Sequence, residues 1–438
     1  MSALFADIRI AVMNLVEHGR RTAFLGTAVA VVTCLFVLLT SLSAGIRDTL
    51  IDTATTLSTG HLNVGGFFKI TGGQAAPIVA NYETVQKVVL RAVPEVDFMV
   101  QRGRGWGKLI SDQGSIQAGL AGIDIEMEPA VKSVLEIVQG NIDDLAQPNT
   151  ILLFEQQAQK LSLKAGDSLT ISAQTTRGVA NTVDCRVAAV ARDVGLLSSW
   201  NVFVSNDALR TLYQLKPNVT GALQIHVKPR DVPKLAGIAT RLRHALEQAG
   251  YRMMEPDPRA FWLKFQTVTR EDWTGQKLDV TTWEDELSYM MWTFTALQGL
   301  SFLLMLILLA IMIAGIMNTL WIAIRERTRE IGTLRAIGMQ QTGVARLFLF
   351  EAGMLGVLGA AAGVILGGIV IFLINAARIH VPISVQLFLM RDTVHLKLEA
   401  STLVMAIALI TCVTGAAALY PSVRAARRKP VDAMAHFG

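Results

Sequence analysis

Charge is scarce in this chain. Only 17% of its 438 residues are Asp, Glu, Lys or Arg, whereas 52% are hydrophobic, and the mean hydropathy is +0.43. An ordinary soluble domain carries about 25% charged residues, so this composition excludes a wholly soluble fold and reads as an integral membrane protein. The net charge of +5 is modest and spread between membrane flanks and a polar middle, so no nucleic-acid partner is expected. Cysteine is nearly absent: Cys34, Cys185 and Cys412 lie far apart and only Cys185 is in the polar middle, which rules out a disulfide framework there. The motifs of covalent chemistry are missing as well, with no G-x-x-x-x-G-K-[ST], no H-E-x-x-H and no G-x-S-x-G. His18, His61, His226, His244, His380, His395 and His436 show neither i, i+4 pairing nor cysteine neighbours, which argues against a zinc site. No catalytic residue, no metal and no cofactor of its own are expected.

What the sequence does have is long apolar runs. A hydrocarbon core of about 30 Å takes roughly 20 apolar residues as a helix. Four runs qualify, at residues 22–44, 292–324, 345–376 and 402–420. The first follows Arg20 and Arg21 and is longer than the roughly 7–15 residues of a signal-peptide core, so it reads as an uncleaved anchor. Cationic residues fix the orientation. Arg9, Arg20 and Arg21 precede the first run; Arg325, Arg327, Arg329, Arg335 and Arg346 lie between the second and third; and Arg424, Arg427, Arg428 and Lys429 follow the fourth. The positive-inside rule makes all three segments cytoplasmic: residues 1–21 as an amphipathic N-terminal segment, 325–344 as an inner connection and 421–438 as a tail. Residues 45–291 and the short connector 377–401 then face the other side.

Residues 45–291 have a mixed α and β texture and read as an α+β extracytoplasmic domain inserted between the first and second membrane helices. Alternation predicts strands at 61–64, 107–110, 168–172, 183–191, 201–204 and 222–227. Helices are expected at 82–92, 155–161, 207–215 and 232–249. In the last, Leu235, Ile238, Leu242, Leu246 and Ala249 form one apolar stripe. Trp262, Trp273, Trp283 and Trp292 then alternate with polar residues ahead of the second apolar run. They fit either an interfacial aromatic belt or a stalk, since a helix from Leu287 to Ile324 would be roughly 57 Å long and exceed the membrane.

In the third run, Gly359, Gly363 and Gly367 repeat every four residues, with Gly356 nearby, a spacing that lets two helix backbones approach closely. The spacing does not say whether the partner helix is in the same chain. Glu351 opens this run and reads as a carboxylate at the positive end of the helix dipole.

The most distinctive stretch is Ile322 to Met339, IAIRERTREIGTLRAIGM, where an apolar run ends in Arg325, Glu326, Arg327, Arg329, Glu330 and Arg335 within a short helical segment. Ile331, Leu334 and Ile337 are expected as an apolar docking stripe, with Arg327, Arg329, Glu330 and Arg335 at its rim and Gly332 and Gly338 allowing close approach or termination. The run NTLWIAIRERTREIGTLRAIGM followed by LFLFEAGMLGVLGAAAGVILGG resembles the FtsX-like permease superfamily, the transmembrane subunits of the MacB and LolC/LolE type of ABC transporter. The beginning, MNLVEHGRRTAFLG, and the end, YPSVRAARRKPVDAMAH, resemble the family's approach to the first span and its closing pattern. TGHLNV at Thr59 to Val64, LAGID at Leu120 to Asp124 and ILLFEQQAQKLSLKAGDSLTI at Ile151 to Ile171 are more similar to lipoprotein-releasing permeases than to macrolide exporters.

The resemblance implies a multi-pass protein of the bacterial inner membrane with its large domain in the periplasm. Its partners would be two copies of a cytoplasmic ABC ATPase, which hold ATP and Mg, a second permease copy or paralogue, membrane lipid, and a periplasmic acceptor or chaperone. Arg325 to Gly338 would be the coupling helix. The short stretch ahead of residue 22 is expected to leave no room for a fused ATPase. The expected function is mechanotransmission that releases or exports lipoprotein or another amphiphile from the outer leaflet. Two alternatives stay open: an FtsX-type regulatory scaffold that activates a periplasmic partner, and an ATP-independent sensor or channel.

Overall fold

The computed structural model describes residues 19–71, 74–195, 197–379 and 393–427, together with Met13 and Glu17. Most of the N-terminal segment, residues 380–392 of the short connector and residues 428–438 of the tail lie outside the described residues. The chain divides into two compact units.

The first unit comprises Met1–Arg47, Thr295–Ile379 and Val394–Gly438. Among the described residues four helices are long and apolar enough to cross a membrane, within Thr22–Thr59, Ser288–Glu326, Gln341–Ala377 and Ala400–Ala426. Each runs beyond the apolar stretch that signals it, because helical hydrogen bonding continues through polar flanks where hydropathy stops. The interhelical core consists of Val29, Met312, Ile316, Ala352, Ala360, Ile410 and Ala418. The glycine stripe determines which helices meet. A Cβ at Gly359 would lie 2.8 Å from Val29 Cγ1, at Gly363 2.5 Å from Thr33 Cβ and at Gly367 3.2 Å from Val37 Cγ1, so this face packs on the Gly19–Ala54 helix of the same chain. Gly356 instead faces the Ala400–Ala426 helix, where its Cβ would lie 3.1 Å from Thr414 Cβ. Where the connector rejoins the bundle, the Asn375 amide donates to Leu396 O and accepts from Leu396 N, both at 3.0 Å.

The second unit, Asp48–Phe294 with His380–Thr393, is α+β. Its strands are β1 (Leu62–Thr71), β2 (Gln74–Ala76), β3 (Val79–Ala80), β4 (Val96–Ile110), β5 (Ser115–Ile123), β6 (Ile137–Gly140), β7 (Thr150–Phe154), β8 (Ser168–Gln174), β9 (Ala180–Ala191), β10 (Asn201–Ser205), β11 (Val219–Thr220), β12 (Ala222–Val227) and β13 (Gly275–Thr282). β4 serves two layers. Its first half pairs with β12 to complete an antiparallel sheet in the order β13-β1-β12-β4. Its second half pairs with both β5 and β8, closing the ring β4-β5-β10-β7-β9-β8 into a small barrel. Leu109, Leu120, Ile151, Leu153, Ile171, Val187, Val202 and Val204 fill the barrel.

The sheet carries the Tyr82–Ala92 and Leu235–Gln248 helices on one face. They pack Val85, Val89, Leu235, Ile238, Leu242 and Leu246 against Leu62, Val64, Leu223 and Ile225. Burial of one such leucine is worth about 1.5–3 kcal/mol. The helix expected from residue 232 begins at Leu235 instead, since Pro233 has no N–H to continue an α-helix and residues 229–234 wind as a tighter 3-10 turn.

The long helix expected from Leu287 to Ile324 is present as Ser288–Glu326, but Trp262, Trp273 and Trp283 do not lie on it. Residues 261–286 fold as a helix (Phe261–Arg270), strand β13 and a short turn of helix (Trp283–Glu286), and the long helix starts only at Ser288. Trp273 is buried with Phe67, Met254 and Val268, its indole N–H donates to Glu271 (2.7 Å), and Lys69 and Lys277 sit over its ring. Trp283 is buried in the main core. Both are packing residues of the domain, Trp273 being 8% and Trp283 6% exposed. Trp292 is 72% exposed and Trp262 half-buried.

Candidate functional site

The charged elbow belongs to the first unit. The Ser288–Glu326 helix breaks at Arg327 (φ −98, ψ 14), which begins the short Thr328–Ala336 helix. Thr328 Oγ1 stabilises the break by donating to the carbonyls of Ile324 (2.8 Å) and Arg325 (3.0 Å), which a helix end otherwise leaves unsatisfied. The segment stops at Gly338, whose φ of +109 suits a residue without a side chain.

Its side chains divide into two sets. Arg327 turns inward, its Nη1 3.3 Å from Glu351 Oε2, and both residues are buried. Ile331 packs with Ile324, Val344, Phe348, Ala425 and Ala426, and Gly332 is buried beside it. Arg335 Nη1 donates to Ala426 O at 2.7 Å, placing a cation at the C-terminus of the last helix, where the dipole favours it. Arg325, Glu326, Arg329, Glu330, Ile337 and Gly338 face outward, with Ile337 80% exposed.

Two expectations are therefore corrected. Ile331 and Ile337 do not share a stripe: six residues at about 100° each leave them about 120° apart round a helix, and Ile337 lies past the last helical residue. The Leu334 side chain lies outside the described residues. Glu351 is not at a helix N-terminus either. The Gln341–Ala377 helix starts well before it, and its carboxylate is the buried partner of Arg327.

The second unit holds a constellation that sequence reading did not find. On the sheet face opposite the two helices, Asn63, Arg102, Arg104, Gln224, Asp279 and Thr281 are all buried. The Arg104 guanidinium donates to Asn63 Oδ1 (3.1 Å), lies 3.5 Å from Glu286 Oε1 and stacks 4.1 Å from the Phe261 ring centre. Glu286 also accepts from Thr281 Oγ1 (2.7 Å) and from the Phe261 N–H (3.3 Å). Gly65 makes room, since a Cβ there would lie 2.9 Å from Arg104 Nη1. Lys264 pairs with Asp279 at 2.7 Å, and Lys69 caps the 261–270 helix by donating to Val268 O (2.9 Å) and Glu271 O (2.5 Å). Arg102 binds Glu128 and reaches Gln224 (3.2 Å).

Burial dominates the electrostatics of this layer. It pushes the Glu128 carboxyl above the usual carboxylate range against the pull of Arg102, and lowers the Arg104 pKa against the pull of Glu286 and Asp279. The one sequence signal is R-G-R-G: at a period of two, Arg102 and Arg104 share a face, while Gly103 and Gly105 leave the opposite face without side chains. An aromatic stack runs beside the layer. Trp106 stacks on Trp200 (5.6 Å, 15°), Trp200 meets Trp262 (5.9 Å) and Trp262 meets Tyr289 (5.5 Å). Glu286 and Tyr289 thus fasten the start of the Ser288–Glu326 helix to β4, β13 and the 261–270 helix. Among the described residues no group of His, Cys, Asp and Glu could hold a metal ion.

Apolar helices long enough to span a membrane, joined to an α+β domain, fit a membrane protein with a large folded domain. Residues 302–430 match the FtsX-like permease C-terminal family, so this part of the chain carries that domain. The ABC transporter permease YtrF of Bacillus subtilis (strain 168) is 43% identical over 63 residues, 14% of each chain. The pyoverdine export ATP-binding/permease protein PvdT of Pseudomonas syringae pv. syringae (strain B728a) is 37% identical over 120 residues, 27% of this chain and 16% of that protein. The matched stretches thus span less than a fifth of these relatives' lengths. Among solved structures, the extracellular domain of the ABC-type transporter YknZ from Gram-positive bacteria aligns with a TM-score of 0.30 at 13% identity, over 43% of this chain and 95% of that one.

Proposed function

We propose that this chain is the membrane-spanning permease subunit of an ABC transporter, driven by a separate ATPase and handling lipoprotein or another amphiphile at the outer leaflet of the inner membrane. The observation that carries the reading is the elbow: Arg327, Ile331 and Arg335 fasten it to its own bundle, while Arg325, Glu326, Arg329, Glu330 and Ile337 are left facing outward. A protein surface with an exposed isoleucine beside charges of both signs suits oriented docking of a partner. The FtsX-like domain, which includes this elbow, supports the same reading. Nucleotide-driven closure of the ATPases would displace the elbow, and the Ser288–Glu326 helix, rooted through Glu286 and Tyr289, would carry the displacement toward the α+β domain. Two ATPase copies and a second permease copy or paralogue complete the proposed assembly, with a periplasmic acceptor or chaperone receiving the cargo.

The test is purification of the chain from membranes in mild detergent, followed by reconstitution. A nucleotide-hydrolysing subunit is expected to copurify. Arg329→Glu with Glu330→Arg is expected to lower transport at least about tenfold while the protein still folds and inserts, as loss of a few charged contacts at an interface implies. Copurification of a periplasmic hydrolase without lipid-bearing cargo would favour the regulatory-scaffold reading.

A further inference from the structure

The second unit contains a cleft of about 680 Å³ between the β2–β3 segment, β4 and the end of β8, closed by Tyr213 and Phe265. Its size lies within the range of sites that enclose most of a small ligand. The walls combine aromatic rings with hydroxyls and amides, and among the described residues the charged side chains lining it are Arg104 and Lys108. Arg104 is already engaged by Glu286 and Asn63. Lys108 is exposed, with no carboxylate in ion-pair range among the described residues.

Trp106 is 44% exposed and Phe265 38% exposed, although both are large and apolar. Trp106 is also rigidly placed. Trp200 stacks on it, and the Tyr213 hydroxyl accepts from its N–H (2.7 Å) and donates to its carbonyl (2.6 Å). An apolar ring held in place and left uncovered beside an available cation is preorganised for a ligand that is apolar along its body and anionic at one end. Among the described residues no carboxylate lines the cleft, which disfavours a cationic ligand.

We infer that this cleft binds an anionic amphiphile, with the acyl chain along Trp106 and Phe265 and the anionic head at Lys108. The assignment deepens the permease reading, which it needs only for the purpose of binding. Bound ligand would touch Trp106 and, through Trp200 and Trp262, adjoin Tyr289 at the start of the long helix.

The test uses the full chain in lipid nanodiscs with diazirine-bearing palmitate, diazirine-bearing phosphatidylglycerol, and a diazirine alkyl trimethylammonium of the same chain length, with adducts mapped by mass spectrometry. The expected result is labelling of segments 75–78, 104–108 or 172–180 by an anionic probe. Labelling by palmitate alone would identify a free acid as the source, and labelling by the phospholipid a bilayer lipid. Lys108→Glu should cut it about tenfold, the loss expected for one charge-assisted contact. Adducts confined to the apolar helices, equal labelling by the ammonium probe, or insensitivity to Lys108→Glu would overturn the assignment. So would protection of these segments by a copurifying protein. ATPase copurification is measured independently, so failed labelling leaves the permease reading standing.

Discussion

Arg327→Leu alone is expected to destabilise the helical unit by about 3–5 kcal/mol, the cost of leaving one charge of a buried pair without its partner. Glu351 is only 6% exposed, so its carboxylate would lose the Arg327 guanidinium while staying out of water. Glu351→Leu alone should cost a similar amount for the same reason. The double variant Arg327→Leu with Glu351→Leu should recover most of the loss, because a buried pair replaced by apolar side chains of similar size is often neutral or stabilising. Thermal unfolding in detergent reads all three. A double variant as unstable as the sum of the singles would show that the residues act separately and that the elbow is not held by this pair.

The second large effect concerns the glycine stripe. Gly363→Leu should cost about 3 kcal/mol, the upper range for forcing extra atoms into a packed core. Even a single Cβ there would lie 2.5 Å from Thr33 Cβ on the neighbouring helix. Gly368, also on the Gln341–Ala377 helix, has nothing within 4 Å of where its Cβ would stand. Gly368→Ala should therefore be neutral or stabilise slightly, since glycine is about 1 kcal/mol worse than alanine inside a helix. A gain at Gly363 like that expected at Gly368, measured by the same unfolding experiment, would mean that helix propensity and not interhelical contact governs this region.

How legible the molecule was in its sequence depended on whether a signal was local. The apolar helices declare themselves by length and hydropathy, and the Tyr82–Ala92 and Glu155–Leu161 helices and β12 begin and end where periodicity places them. β7, Thr-Ile-Leu-Leu-Phe, is buried along its whole length and so lacks the alternation that marks a half-exposed strand. β13 reads as polar because Lys277, Asp279 and Thr281 look like surface residues, yet Asp279 and Thr281 are buried against Lys264 and Glu286. Of β4 only residues 107–110 are expected as strand, because Arg-Gly-Arg-Gly lacks apolar alternation, its glycines being required by the close approach of neighbouring strands and side chains. The glycine stripe announced close packing, but only coordinates identify Val29, Thr33 and Val37 of the same chain as what it packs on. In the elbow the residue types were legible and their directions were not. A run of charges looks uniformly solvated until Glu351, far along the sequence, draws Arg327 inward.

The proposed mechanism requires the elbow and the α+β domain to lie on opposite sides of the membrane. In a background with Cys34, Cys185 and Cys412 replaced by serine, cysteines at Glu330 and at the exposed Asp112 can be labelled from one side at a time with a membrane-impermeant maleimide on sealed vesicles of known orientation. The mechanism predicts that Glu330→Cys reacts only from the cytoplasmic side and Asp112→Cys only from the outer side. Labelling of both from one side, or of Glu330→Cys from outside, would contradict it.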